Sequence, residues 1–170
     1  MNEKECREIY REAFKDPDTS FEDLLFGLCG QYCRFEMCGD KTAAILFALP
    51  CRIMCGEKST DAFYVFAAAT KREYRKMGYM SRLIESLKAE GVPLFLKPAD
   101  TGLIKFYEKL GFTVFTARRT EPADCSALPE GGFKELCRNF KDTNTESYTA
   151  MYFGPDNLKP ENMYFPYTME

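Results

Sequence analysis

Tyr74-Arg75-Lys76-Met77-Gly78-Tyr79-Met80 decides the reading of this chain. It follows an apolar run, Ala62-Phe63-Tyr64-Val65-Phe66-Ala67-Ala68-Ala69-Thr70, that reads as a β-strand. It opens a segment in which Met80, Leu83, Ile84 and Leu87 recur at the 3.6-residue period of an amphipathic helix. A basic, glycine-containing turn between a strand and a helix suits phosphate. The first N–H groups of a helix lack internal partners, and the macrodipole leaves that end partly positive. A pyrophosphate answers both deficits. In that reading the N–H groups of Lys76 to Ser81 face the anion, Gly78 permits close approach, and Arg75 and Lys76 supply charge. The same residues would also make an ordinary basic helix start, so the turn needs a second element.

Working outward, the 170 residues are 45 % hydrophobic and 29 % charged, the composition of one soluble domain with an ordinary core. A net charge of −3 and a pI of about 5.3 argue against nucleic acid or an anionic membrane surface as the main partner. No apolar run approaches the roughly 20 residues of a membrane span. Met1-Asn2-Glu3-Lys4-Glu5 is not followed by the apolar region of a signal peptide, so the expected location is cytoplasmic. The eight cysteines (6, 29, 33, 38, 51, 55, 125, 137) are then reduced thiols. Cys29/Cys33 and Cys51/Cys55 have spacings that zinc can use, but their apolar surroundings favour small hydrophobes, and no metal is expected.

The sequence contains no histidine. That excludes a Ser–His–Asp or Cys–His nucleophile and any histidine base. Proton transfer falls to carboxylates, Tyr, Lys, Cys, a terminus or water.

Residues 4–15 read as a helix with Cys6, Ile9, Tyr10 and Phe14 on one face, ended by Pro17. Ser20 is expected to cap a second helix through a Ser20–Asp23 capping box, with Gly30 as its stop. Strands follow at 32–37 and 42–54 around a hairpin turn at 38–41, and a turn at 57–60 precedes the run to Thr70. After the helix at 79–90 come a strand at 92–97, a helix capped by Asp100 or Thr101, and Gly111 at its C-cap. A strand at 112–118, a short helix around 133–140, and strands at 147–153 and 163–169 complete the chain. This order predicts a mixed α/β domain around one twisted sheet.

The second element is Asp100-Thr101-Gly102-Leu103-Ile104-Lys105-Phe106-Tyr107-Glu108-Lys109-Leu110-Gly111-Phe112. Seven residues, close to two helical turns, separate Asp100 from Tyr107, which predicts that both share one helix face. Together the two elements resemble the GNAT superfamily of N-acetyltransferases over residues 42–118. Arg75-Lys76-Met77-Gly78-Tyr79-Met80 corresponds to its acetyl-CoA signature, R/Q-x-x-G-x-G/A, and Tyr107-Glu108-Lys109-Leu110-Gly111-Phe112 to its later Tyr-Glu-Lys-Leu-Gly-Phe segment. Met80 stands where the family usually has Gly or Ala, and Asp100 replaces its Asn.

The resemblance implies one domain over residues 1–170, a mostly antiparallel twisted sheet with a splayed central strand pair, and acetyl-CoA as cosubstrate. Residues 1–41 and 119–170 would wall the acceptor site. Ala68 and Thr70 would offer backbone groups to pantetheine, and Arg75, Lys76, Met77, Gly78, Tyr79 and Met80 would wrap the pyrophosphate. Ser81 would add a hydroxyl, and Asp100 would lie by the pantetheine arm without the amide donor of the family's Asn. An amine would attack the thioester directly, with Tyr107 as general acid for the leaving thiolate, its ordinary pKa of about 10 lying near that of an alkyl thiol.

Glu22, Glu36 and Asp61 are candidate bases among which the sequence does not choose, and Cys33 or Cys51 would serve a route through a thiol. Phe21, Phe26, Tyr32, Phe35, Tyr164, Phe165 and Tyr167 would either hold the acceptor by cation–π contact or act as core and tail anchors. The resemblance implies a small-molecule or peptide amine as the acceptor. The aromatic tail would fold on its own sheet or pair with a neighbour in a homodimer. A second reading is an acyl-CoA-binding regulatory module of the same fold without catalysis. A P-loop nucleotide binder ranks last, because the turn lacks G-x-x-x-x-G-K-[ST].

Overall fold

The computed structural model describes residues 2–55, 58–117, 128–139, 148–155 and 163–164. In chain order these form α1 (Glu3–Phe14), α2 (Ser20–Cys29), a 3-10 turn (Gly30–Tyr32), β1 (Cys33–Cys38), β2 (Lys41–Cys55) and β3 (Lys58–Thr70). A second 3-10 turn (Arg72–Tyr74), α3 (Tyr79–Lys88), β4 (Leu94–Leu96), α4 (Thr101–Lys109) and β5 (Thr113–Ala117) follow. α5 (Gly132–Asn139), β6 (Tyr148–Phe153) and β7 (Met163–Tyr164) come last. The strands form a mixed, open sheet in the order β1-β2-β3-β4-β6-β5, with β7 paired to β2. The expected α/β class is the observed one. Part of the turn at 57–60, most of the strand expected at 163–169, and Cys125 lie outside the described residues.

The chain divides into two compact units, Met1–Ala48 with Val65–Gly91 and Leu49–Tyr64 with Val92–Glu170. In the first, α1 presents Cys6, Ile9 and Tyr10 to the core, and it ends at Lys15, whose φ is 50°. The Tyr10 and Phe26 rings meet edge to face at 6.0 Å, and Phe26 meets Phe47 at 5.2 Å. Ala43 to Ala48 of β2 are each 0 % exposed. That burial explains why this strand is a continuous apolar run without alternation. The β1–β2 hairpin closes through Gly39-Asp40, with Cys38 opposite Lys41 and Gly39 at φ 60°, the left-handed residue that a two-residue turn requires. Glu5 ties α1 to β2, its carboxylate accepting from Thr42 N–H at 2.9 Å and Thr42 Oγ1 at 2.8 Å.

Ser20 is not the cap of α2. That position belongs to Thr19, whose side chain makes no capping bond. Asp18 Oδ1 accepts the Ser20 N–H at 2.9 Å instead. An Asp side chain readily bonds backbone two residues on, and this turn displaces the expected box.

In the second unit, β3 pairs with β4 in a parallel ladder of two residue pairs, Phe63 with Leu94 and Tyr64 with Phe95. β6 pairs antiparallel with both β4 and β5. The Tyr64 ring packs 5.0 Å from Phe95 and 6.2 Å from Phe133 of α5. α4 ends in a Schellman motif: Phe112 N–H bonds to Tyr107 O at 3.1 Å and Gly111 N–H to Glu108 O at 2.9 Å. Gly111 takes the left-handed φ of 82° that this stop needs.

Candidate active site

The turn after β3 is held from two sides within its unit. Lys71 N–H bonds to Ala43 O at 2.9 Å, and Arg72 N–H donates to the Glu12 carboxylate at 2.7 Å. Arg75 folds back on the turn, its Nε donating to Thr70 O at 3.0 Å. Lys76 (φ 66°) and Gly78 (φ 81°) are both left-handed, so the chain turns sharply twice between Arg75 and the start of α3. α3 starts at Tyr79 with no side chain capping it. Arg82 N–H is bonded back to Gly78 O at 3.0 Å. The N–H groups of Tyr79, Met80 and Ser81 precede that first helical bond and have no intrahelical acceptor.

Arg82 is the residue that motif reading passed over. Its guanidinium carbon lies 4.3 Å from the centroid of the Tyr79 ring, and its Nε donates to Glu36 at 2.9 Å. A Cβ on Gly78 would stand 3.5 Å from Arg82 Nη1. Its spacing of four from Gly78, one helical turn along α3, is the signal that could have marked it.

Upstream of the turn, Ala67 has φ 49° inside β3, a left-handed alanine in a strand. Such a conformation costs about 1–2 kcal/mol for a residue with a Cβ and breaks the strand's pleat. Ala67 is buried, while Ala68 and Thr70 beyond it are half-buried. Residues 68, 70 and 75–81 therefore sit on one continuous stretch of the first unit.

Asp100 and Tyr107 belong to the second unit. Asp100 is the N-cap of α4, its side chain accepting the Leu103 N–H at 3.1 Å. At φ −151° it stands outside the helical rotation, so the seven-residue count that put it on Tyr107's face does not apply. Asp100 is exposed and Tyr107 is 6 % exposed. Replacing Asp100 by Ala is expected to destabilise the chain by about 1 kcal/mol through loss of the cap, read by urea denaturation. The Tyr107 ring lies between Phe106 at 5.0 Å and Phe112 at 5.6 Å. Burial pushes its pKa up to about 12. The expected match to a thiol therefore does not hold, because the phenol is now roughly three units above an ordinary thiol.

The candidate bases are all engaged. Glu22 is buried between Arg7 (2.9 Å) and Arg11 (2.8 Å). Burial alone would raise its pKa, but the bonds from Arg11 and Arg7 outweigh it and hold the carboxyl below its usual range. Glu36 pairs with Arg82 at 2.9 Å and Asp61 with Arg52 at 3.3 Å. Cys33 and Cys51 are buried, and both thiols are pushed up, Cys33 by its bond with Cys6 and by burial, Cys51 by burial. Neutral thiols of this kind are poor nucleophiles. Phe26 is a core residue, and half-buried Phe21 meets Phe66 edge to face at 6.1 Å. Among the described residues no group of three or more possible metal ligands occurs.

Comparison with known proteins fixes the class. A family model described as an acetyltransferase (GNAT) domain matches residues 2–115, more than half of the chain. The chain belongs to the GNAT acetyltransferase family. The match takes in α1 and α2, which lie ahead of the segment that carried the sequence resemblance.

Its fold is similar to that of a GCN5-related N-acetyltransferase from Anabaena variabilis, with a TM-score of 0.58, 20 % identity and coverage of 74 % of this chain and 35 % of that one. A GCN5-related N-acetyltransferase from Kribbella flavida gives 0.56, 16 %, 68 % and 34 % in the same order. This chain thus spans about a third of the length of those two proteins. A structure described as histone acetyltransferase HPA2 and related acetyltransferase, from Corynebacterium glutamicum, gives a TM-score of 0.57 at 16 % identity, over 91 % of this chain and 93 % of that one. No curated protein sequence matches the chain.

Proposed function

We propose that residues 1–170 act as one domain that moves an acetyl group from acetyl-CoA to an amine by direct attack in a ternary complex. The observation that carries this reading is the uncapped start of α3 behind a turn with two left-handed residues and two cations. That arrangement presents N–H donors and positive charge to a pyrophosphate. In this reading Arg75, Lys76, Met77, Gly78, Tyr79, Met80 and Ser81 hold the diphosphate, and Ala68 and Thr70 bond the pantetheine amides. Asp100 acts through its cap on α4. Tyr107 stays neutral and donates a hydrogen bond to the sulfur as the C–S bond breaks. The leaving thiolate takes, through water, the proton that the attacking nitrogen loses as the amide forms, so CoA departs as its thiol. The acceptor is a small-molecule or peptide amine that arrives or becomes neutral, since none of Glu22, Glu36 and Asp61 is a free carboxylate. We place the protein in the cytoplasm; among the described residues no helix is long and apolar enough to cross a membrane.

The second reading, an acyl-CoA-binding module without catalysis, draws its support from the burial of Tyr107. Two measurements separate them. Acetyl-CoA is expected to raise the melting temperature, and thiol release above background is expected with at least one member of a broad amine panel. Stabilisation without release across the panel would select the binding module. No stabilisation would overturn both.

A further inference from the structure

A cavity of about 450 Å³ opens at the C-terminal end of α1, lined by Glu12, Ala13, Lys15, Arg72 and Arg75. We propose that it binds a phosphate-monoester dianion, supplied by the 3′-phosphate of the CoA cosubstrate; this rests on the donor reading above.

The charge balance of the cavity points to an anion. Three cations line it against one carboxylate, and that carboxylate is engaged. Glu12 accepts the Arg72 N–H at 2.7 Å and faces Arg75 Nη2 at 3.7 Å. The C-terminal end of α1 adds about half a negative charge, which the C-cap residue Lys15 offsets. Among the described residues the Lys15 ammonium and the Arg72 guanidinium have neither an ion pair nor a hydrogen bond. Two unspent cations therefore line the cavity, more than the helix end requires. An arginine fork beside an ammonium suits a tetrahedral dianion, with charge-assisted bonds to several oxygens.

Arg75 decides which dianion. It lies in the diphosphate turn and also lines the cavity, so the two positive regions share one residue. A ligand whose diphosphate rests on residues 75–81 continues into a ribose that carries a phosphate monoester. All five lining residues belong to the first unit, as the turn does.

The test compares CoA with 3′-dephospho-CoA by titration calorimetry on the full chain at low salt. CoA is expected to bind about tenfold more tightly, a modest contrast because Lys15 and Arg72 are exposed and their charges are screened. The Lys15→Ala/Arg72→Ala double variant is expected to bind CoA with the affinity that dephospho-CoA has for the wild type, which itself stays unchanged. Equal affinities of the two ligands for the wild type, or a contrast that survives in the variant, would overturn the CoA assignment. If the ligands bound equally while inorganic phosphate raised the melting temperature of the wild type alone, the dianion would come from another source. Failure of both ligands to bind would defeat the donor reading itself.

Discussion

Tyr107→Phe is expected to lower turnover about a hundredfold, the typical loss when one donor to a developing anion is removed, with acetyl-CoA affinity nearly unchanged. Phenylalanine keeps the ring between Phe106 and Phe112 and removes the hydroxyl alone. The helix stop made by Tyr107 O is backbone and survives the change. The group acts on the leaving sulfur, so kcat should fall while binding of the intact thioester does not. The pH dependence follows from the raised pKa. The neutral phenol is the working form, and it persists up to about 12, so Tyr107 contributes no descending limb below pH 10. The rate should instead climb with pH as the acceptor amine loses its proton. Steady-state thiol release between about pH 6 and pH 10 measures both effects. Wild-type turnover in the variant would remove Tyr107 from the mechanism.

Glu22→Gln is expected to destabilise the fold by about 2–3 kcal/mol, below the range for a wholly buried pair because Arg11 is half exposed. The carboxylate is 3 % exposed, and it joins α2 to both arginines of α1. Its pKa is lowered on folding, so its contribution is fully present above the unfolded value of about 4.3 and is lost as pH falls through the folded value. Urea denaturation at neutral pH and in acid should show the variant and the wild type converging as acid increases. Turnover per folded molecule should be retained, since Glu22 is a fastener between helices and not a base. A large kcat loss in stable variant protein would reverse that assignment.

The sheet and the helices were legible because their signals are periodic and local. The stripe at Cys6, Ile9 and Tyr10, the apolar run of β2 and Gly111 behind α4 each point to one structure. What escaped depended on which partner a side chain takes. Asp18 supplies the side-chain bond at the start of α2, accepting the N–H of Ser20 itself, and two sequence-plausible carboxylates were already committed, Glu22 to Arg7 and Arg11 and Glu36 to Arg82. The diphosphate turn was readable from glycine and basic residues. Lys15 was not, because it lies sixty residues from Arg75 and only folding brings both to one cavity.

Ala67 sets a rule for changing this protein. A left-handed site in a strand welcomes glycine, tolerates alanine at a cost and refuses β-branched side chains. Engineering for heat resistance would therefore meet a paradox at this position. Glycine would relieve the strain locally, yet it would also give the unfolded chain more freedom to lose, so the net gain is small. Alanine limits that freedom without demanding room. The position is thus closed to Val, Ile and Thr, the residues that an extended strand otherwise favours.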